Sequence, residues 1–218
     1  FTGNVSYNGI KDEIRDAAYS GNALEFLRSP EFLVVLTALL GIAVVFFIGF
    51  TLIQIFVGNP LMVGCSRFFV ENSDRKARFR LVGAAFQGGS YTNIVLTMFL
   101  RGLFTRLWTL LLIIPGIVKS YEYSMIPYIL AENSYISRER AFQISKQMMQ
   151  GQKFDAFVLD LSFFGWMILS AFTCGILDVF YVMPYRKTTL AEFYKVNRQM
   201  ALQNGIAAPE ELQGFPFY

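Results

Sequence analysis

Ile94–Ile114 reads IVLTMFLRGLFTRLWTLLLII, followed at once by Pro115-Gly116 and a second apolar run, Ile117–Leu130. The first run is long enough to cross a bilayer, since about 20 predominantly apolar residues suffice. It carries Arg101 and Arg106 in its interior. A guanidinium at bilayer depth costs several kcal/mol, of order ~3, unless it is paired or wetted. Other residues must therefore satisfy these two charges.

The composition agrees with a lipid environment. The 218 residues are 54% hydrophobic and 16% charged, with 23 Phe and a mean hydropathy of +0.42. Soluble domains average about 25% charged residues. Histidine is absent, which removes the commonest general base and metal ligand. Cys65 and Cys174 lie far apart outside any CxxC pattern, so neither a zinc site nor a disulfide framework is indicated. No cofactor, metal or nucleic-acid partner is expected. Gly88-Gly89-Ser90 lacks the lysine of a phosphate-binding loop. Ser162 and Ser170 have no histidine to activate them, and only a Ser–Lys arrangement stays open.

Working outward, Phe32–Val57 is an uncharged apolar run that ends at Gly58-Asn59-Pro60 and resumes as the amphipathic Leu61–Val70. Arg75, Lys76, Arg78 and Arg80 follow, the densest basic cluster in the chain. Cytoplasmic loops carry the excess of Lys and Arg, so this span is expected to run inward. Residues 1–31 then form an extracytoplasmic loop with a short amphipathic helix from Ile10 to Leu27. The segment 91–114 returns outward, Pro115-Gly116 turns, and 117–130 comes back in. Residues 132–153 carry Arg138, Arg140, Lys146 and Lys153 with apolar residues at helical spacing, predicting a cytoplasmic amphipathic helix 136–150 capped by Ser137. Phe154–Val182 crossing once would strand Arg186, Lys187, Lys195 and Arg198 outside. A split at Thr173-Cys174-Gly175 into spans 154–173 and 176–197 returns them to the cytoplasm.

The expected fold is therefore all-α: a polytopic transmembrane helical bundle over 32–198, built of helical hairpins with cytoplasmic amphipathic helices, and a cytoplasmic tail 199–218. Five spans are visible, and an external start implies a sixth upstream of Phe1. One design recurs three times: an inward helix meets Pro60, Pro127 or Pro184 near its cytoplasmic end and continues as a basic amphipathic piece. An internal repeat of three hairpins is one reading, and the general frequency of Pro in membrane helices is the other.

Pro115-Gly116-Ile117-Val118-Lys119-Ser120-Tyr121, Tyr123 and Pro127-Tyr128-Ile129-Leu130-Ala131-Glu132 form a specific pattern. With Ser145-Lys146, Met149, Gly151, Leu161-Ser162-Phe163, Gly165-Trp166, Pro184-Tyr185 and Phe193-Tyr194, it resembles the DUF975 integral membrane proteins of Gram-positive bacteria over roughly residues 50–195. The resemblance implies a six-span membrane protein of unknown function, distantly similar to membrane domains attached to some glycerophosphodiester phosphodiesterases. It carries over no catalytic residue.

Six ionisable residues fall in the expected spans: Arg101, Arg106, Lys119, Glu122, Asp160 and Asp178. Counting back from the outer turns at about 1.5 Å per residue matches their heights as Arg101 with Asp160, Arg106 with Glu122 and Lys119 with Asp178. Such charges usually face the bundle interior and pair with one another. The competing readings are a water-filled cavity contacting an ion or lipid headgroup, and proton relay through Glu122 or Asp160. Tyr121, Tyr123, Tyr128, Tyr181, Tyr185 and Tyr194 fit an interfacial aromatic belt or, more sharply, a hydroxyl-lined pocket. Arg75, Lys76, Arg78 and Arg80 signal topology and are candidates for contact with anionic headgroups.

The functional expectation is a non-enzymatic protein of the bacterial cytoplasmic membrane that binds or helps move a lipid-like or anionic amphiphile. Membrane lipids are its expected partners. The alternative is an accessory subunit that docks a membrane or cytoplasmic protein through helix 136–150 and the loop 75–80. A third reading is the membrane module of a phosphodiesterase-like system.

Overall fold

The computed structural model describes residues 27–87 and 89–214, together with positions 9, 11, 12 and 15. Most of the helix expected over Ile10–Leu27 lies outside the described residues, as do residues 215–218 of the expected tail. No strand occurs among the described residues, so the chain is all-helical.

The chain divides into two compact units, residues 1–53 and 54–218. The first holds helix α1, Pro30–Ile53, whose sequence is apolar on every side and which has no buried residue. An all-round apolar helix is suited to hydrocarbon rather than to a half-wet protein surface. The boundary between these units falls at Ile53, inside the apolar run.

The second unit opens with a π-helical stretch, Gln54–Gly58, leading into α2, Asn59–Asp74. A 3₁₀ segment, Phe79–Phe86, crosses back over α2. It passes so close that a Cβ on Gly64 would collide with the backbone of Val82. Helix α3, Tyr91–Leu111, and α4, Ile113–Glu122, form a hairpin whose break is the extended residue Leu112. Pro115-Gly116 is therefore not the turn itself. Both residues sit in the first turns of α4, where proline loses no helical bond. A Cβ on Gly116 would strike Thr109, so this glycine is what lets the two helices close.

After the break at Tyr123-Ser124-Met125 comes the short α5, Ile126–Glu132, buried from Ile126 to Ala131. Helix α6, Arg138–Met148, is capped as expected, with the Arg140 backbone N–H donating to Ser137 Oγ at 3.3 Å. Helices α7, Lys153–Ser162, and α8, Phe164–Phe172, form one kinked rod. The chain reverses at Thr173-Cys174-Gly175, where the split was expected. Cys174 and Gly175 both take positive φ, and the Gly175 N–H closes on the Ser170 carbonyl at 3.0 Å. A second π-helical stretch, Asp178–Val182, feeds α9, Met183–Gln203.

Three helical stretches are long and apolar enough to cross a membrane, lying within Pro30–Asp74, Tyr91–Leu111 and Lys153–Phe172. The other two expected spans are interrupted. Alone, α4 is about 15 Å long, and the helical run after Gly175 is broken by its π stretch and becomes polar in α9.

Each of Pro60, Pro127 and Pro184 occupies the second position of a helix that starts after a π stretch or a turn. The ring needs no N–H there, so a proline can start a new helix where an old one ends. The three helices it heads, α2, α5 and α9, converge. Val63, Val70, Tyr128, Ile129, Leu130, Ala191 and Tyr194 from them share one core with Ile144 and Met149. The apolar face of the expected amphipathic helix, α6, is thus buried inside the chain's own core. The expected cytoplasmic tail is also drawn in, since Ala207 and Leu212 are buried in the same core.

Candidate functional site

A cavity of about 400 Å³ opens where α2, α3, α4, α5, α7 and α9 meet. Its charged wall is Arg101 from α3, Asp160 from α7, and Arg186 and Lys187 from α9. Hydroxyls come from Ser66, Ser120, Tyr121, Ser124 and Tyr128, and the apolar remainder includes Met62, Met183, Leu190 and Phe193.

Local sequence explains how each group arrives. Arg101 caps a helix end: its Nε donates to the Tyr123 carbonyl at 2.7 Å. Tyr123 terminates α4, where the last carbonyls have no intrahelical donor. Asp160 is held from two sides. Arg186 donates to Oδ1 through Nε at 3.1 Å and Nη2 at 2.7 Å, and the Tyr121 hydroxyl donates to Oδ2 at 3.1 Å. Arg186 and Lys187 reach the wall because Pro184 restarts the helix just before them.

The height-matched pairs are not the ones that form. Asp160 pairs with Arg186 instead of Arg101, although both arginines line one cavity. Glu122 pairs with Lys119 at 2.6 Å, one helical turn away, and with Lys153 at the start of α7, not with Arg106. The Glu122 carbonyl also accepts from Ser145 Oγ at 2.7 Å, tying α4 to α6. Arg106 is exposed and forms no ion pair among the described residues, and the same holds for the carboxylate of half-buried Asp178. Equal height leaves the azimuth around each helix free, and neighbours at i, i+3 need no tertiary alignment. Lys119 gains a further contact, its Nζ lying 5.4 Å from the Trp108 ring centre.

The tyrosines divide. Tyr121 and Tyr128 line the cavity, as the hydroxyl-pocket reading expected, whereas Tyr181 stacks on exposed Tyr185 in the manner of a belt. Of the basic loop, Arg75 is held by the buried carboxylate of Glu71, its Nη2 lying 3.1 Å from Oε2. Lys76, Arg78 and Arg80 stay exposed around a second concavity of about 370 Å³ that Arg75 also lines.

One network escaped the sequence reading. Glu132, with a fully buried side chain, accepts from Tyr194 Oη at 2.6 Å, from Arg198 Nε at 2.7 Å and from the Gly214 backbone N–H. Arg140 binds Glu211 in fork geometry at 2.6 and 2.8 Å and the Ile206 carbonyl at 2.8 Å. The Arg140 bonds hold the Glu211 carboxyl down at about 2. These contacts clasp the C-terminal segment to the core. Their only trace in the sequence is acidic and basic residues too far apart to be linked by spacing.

No group of His, Cys, Asp or Glu among the described residues is arranged to hold a metal ion. No curated protein and no solved structure matches this chain. A family model does, from residue 110 to residue 201, so the match begins well after residue 50, where the resemblance was expected to start. It takes in α4 through most of α9, and with them every cavity residue except Met62, Ser66 and Arg101. Over that stretch the chain matches the family described as Protein of unknown function (DUF975).

Proposed function

We propose that this chain is a non-enzymatic, multi-pass protein of a bacterial cytoplasmic membrane that binds or helps move an anionic amphiphile, held in the cavity between α3, α5, α7 and α9. The observation that carries the reading is the wall itself: three cations to one carboxylate, five hydroxyls, and an apolar remainder in a space of about 400 Å³. Small-molecule pockets fall between about 300 and 1,000 Å³ and combine apolar lining with a few placed polar groups. An arginine fork suits phosphate or carboxylate oxygens. Binding is favoured over chemistry because the single carboxylate in the wall is already engaged by Arg186 and Tyr121.

In this reading the α3–α4 and α8–α9 turns lie toward the outer surface, and the core of α2, α5, α6 and α9 lies on the cytoplasmic side. The chain crosses five times. Lys76, Arg78 and Arg80 then flank Phe79, which is 79% exposed, and meet anionic headgroups at about 1 kcal/mol per charge.

Native mass spectrometry of the chain purified in mild detergent tests this. An anionic lipid is expected to be retained, and to be lost from Leu190→Trp, which fills the apolar end without touching a charge. Wild-type protein that stays folded after complete delipidation and rebinds no anionic lipid would refute the reading.

A further inference from the structure

We infer that the cavity selects a dianionic headgroup, that is, a phosphate monoester carried on acyl chains. The inference rests on the proposed binding of an anionic amphiphile and specifies its headgroup. The charge that each element brings to the wall can be named residue by residue. Helix α2 supplies none (Met62 and Ser66, with the thiol of Cys65 near Lys187), α3 supplies Arg101, α4 and α5 the neutral phenols Tyr121 and Tyr128, α7 supplies Asp160, and α9 supplies Arg186 and Lys187. Arg186 is neutralised within the protein by its two bonds to Asp160 Oδ1.

Two positive charges are left. Among the described residues Arg101 bonds only the Tyr123 carbonyl, through Nε, although a guanidinium carries five N–H donors. Lys187 has neither a carboxylate partner nor a hydrogen bond among the described residues, and it is only half-exposed. A partly buried cation without an anion is disfavoured, so the ligand that suits this wall carries two negative charges. A phosphodiester supplies one. A phosphomonoester supplies two above its second pKa, about 6. The chains have a place as well, because Met62, Met125, Met183, Leu190 and Phe193 make most of the apolar wall. Methionine adapts to flexible apolar partners.

The test uses the full chain in neutral-lipid nanodiscs of phosphatidylcholine, doped in turn with dioleoyl phosphatidate and dioleoyl phosphatidylglycerol, with retention read by native mass spectrometry. Phosphatidate is expected to be preferred about tenfold at pH 8, as one further neutralised charge warrants. The preference should shrink toward parity at pH 5, where the monoester is singly charged. Lys187→Gln should abolish the preference while some binding of both lipids persists, and Lys187→Arg should restore it. Inorganic phosphate, which offers the dianion without chains, is expected to compete at least a hundredfold more weakly than the lipid, on the order of the apolar burial it lacks. Equal retention of the two lipids at pH 8 would overturn the inference and leave the binding proposal standing. Retention of neither would overturn both. Competition by free phosphate as strong as by phosphatidate would overturn the assignment to a lipid.

Discussion

Asp160→Asn separates a wall of structural ion pairs from an anion-binding wall, because the two effects it produces have opposite signs. The substitution removes one negative charge and keeps an acceptor oxygen for Arg186 and Tyr121. The Arg186 and Asp160 side chains are 42% and 27% exposed, so water still reaches both. Exposed and half-exposed pairs contribute about 1 kcal/mol or less, which for a unit of this size lowers Tm by roughly 2–4 °C. Affinity should move the other way. A carboxylate at ~7 Å from a bound anion, with an effective dielectric of ~40 for a half-wet cavity, repels it by ~1.2 kcal/mol. Removing it tightens anion binding close to tenfold. The assay is a lipid titration of the purified variant, followed both by thermal unfolding and by native mass spectrometry. A variant with a slightly lower apo Tm and tighter anionic-lipid binding is expected. Weaker binding by a folded Asp160→Asn protein would refute the electrostatic reasoning, because the charge would then be assisting the ligand rather than opposing it.

Two further outcomes concern the clasp around the C-terminal segment. Arg198→Ala leaves Glu132 buried with Tyr194 and the Gly214 N–H but without its cation. Stranding a buried charge costs about 3–5 kcal/mol, so Tm should fall by roughly 6–20 °C and limited proteolysis should cut after residue 203; a shift no larger than that of Lys195→Ala, whose pair with Asp74 is exposed, would show that the clasp is dispensable. The second outcome is a pH dependence. The Arg140 bonds and the Ala208 backbone N–H hold the Glu211 carboxyl at about 2, below the ordinary 4.5. A depressed carboxylate adds stability that is complete above pH 4.5 and lost as pH falls toward 2. After discounting for partial exposure this amounts to about 2 kcal/mol, so denaturant midpoints should drop across that window in wild type and much less in Glu211→Gln.

The cavity is partly legible in the sequence. Arg101 and Asp160 stood out because charges inside apolar runs are expensive, and the structure brings both to one wall. Arg186 and Lys187 did not stand out. Just past Pro184 they read as an ordinary basic flank, yet the restarted helix turns them into the same space. Glu132 was hidden for a different reason. Its partners are 62, 66 and 82 residues away, and no local period connects them.

Apolar run lengths, prolines at helix starts and positive-φ turn residues act within a few residues. They were therefore readable as pattern: an all-helical chain, a reversal at Thr173-Cys174-Gly175, and helices restarted at Pro60, Pro127 and Pro184. Which charges meet depends on rotation about helix axes and on the close approach permitted at Gly64 and Gly116. Those are properties of the packed core. The height of Arg106 on its helix follows from counting residues, but its exposure, and the choice of Arg186 for Asp160, were decided only when α2, α5 and α9 came together.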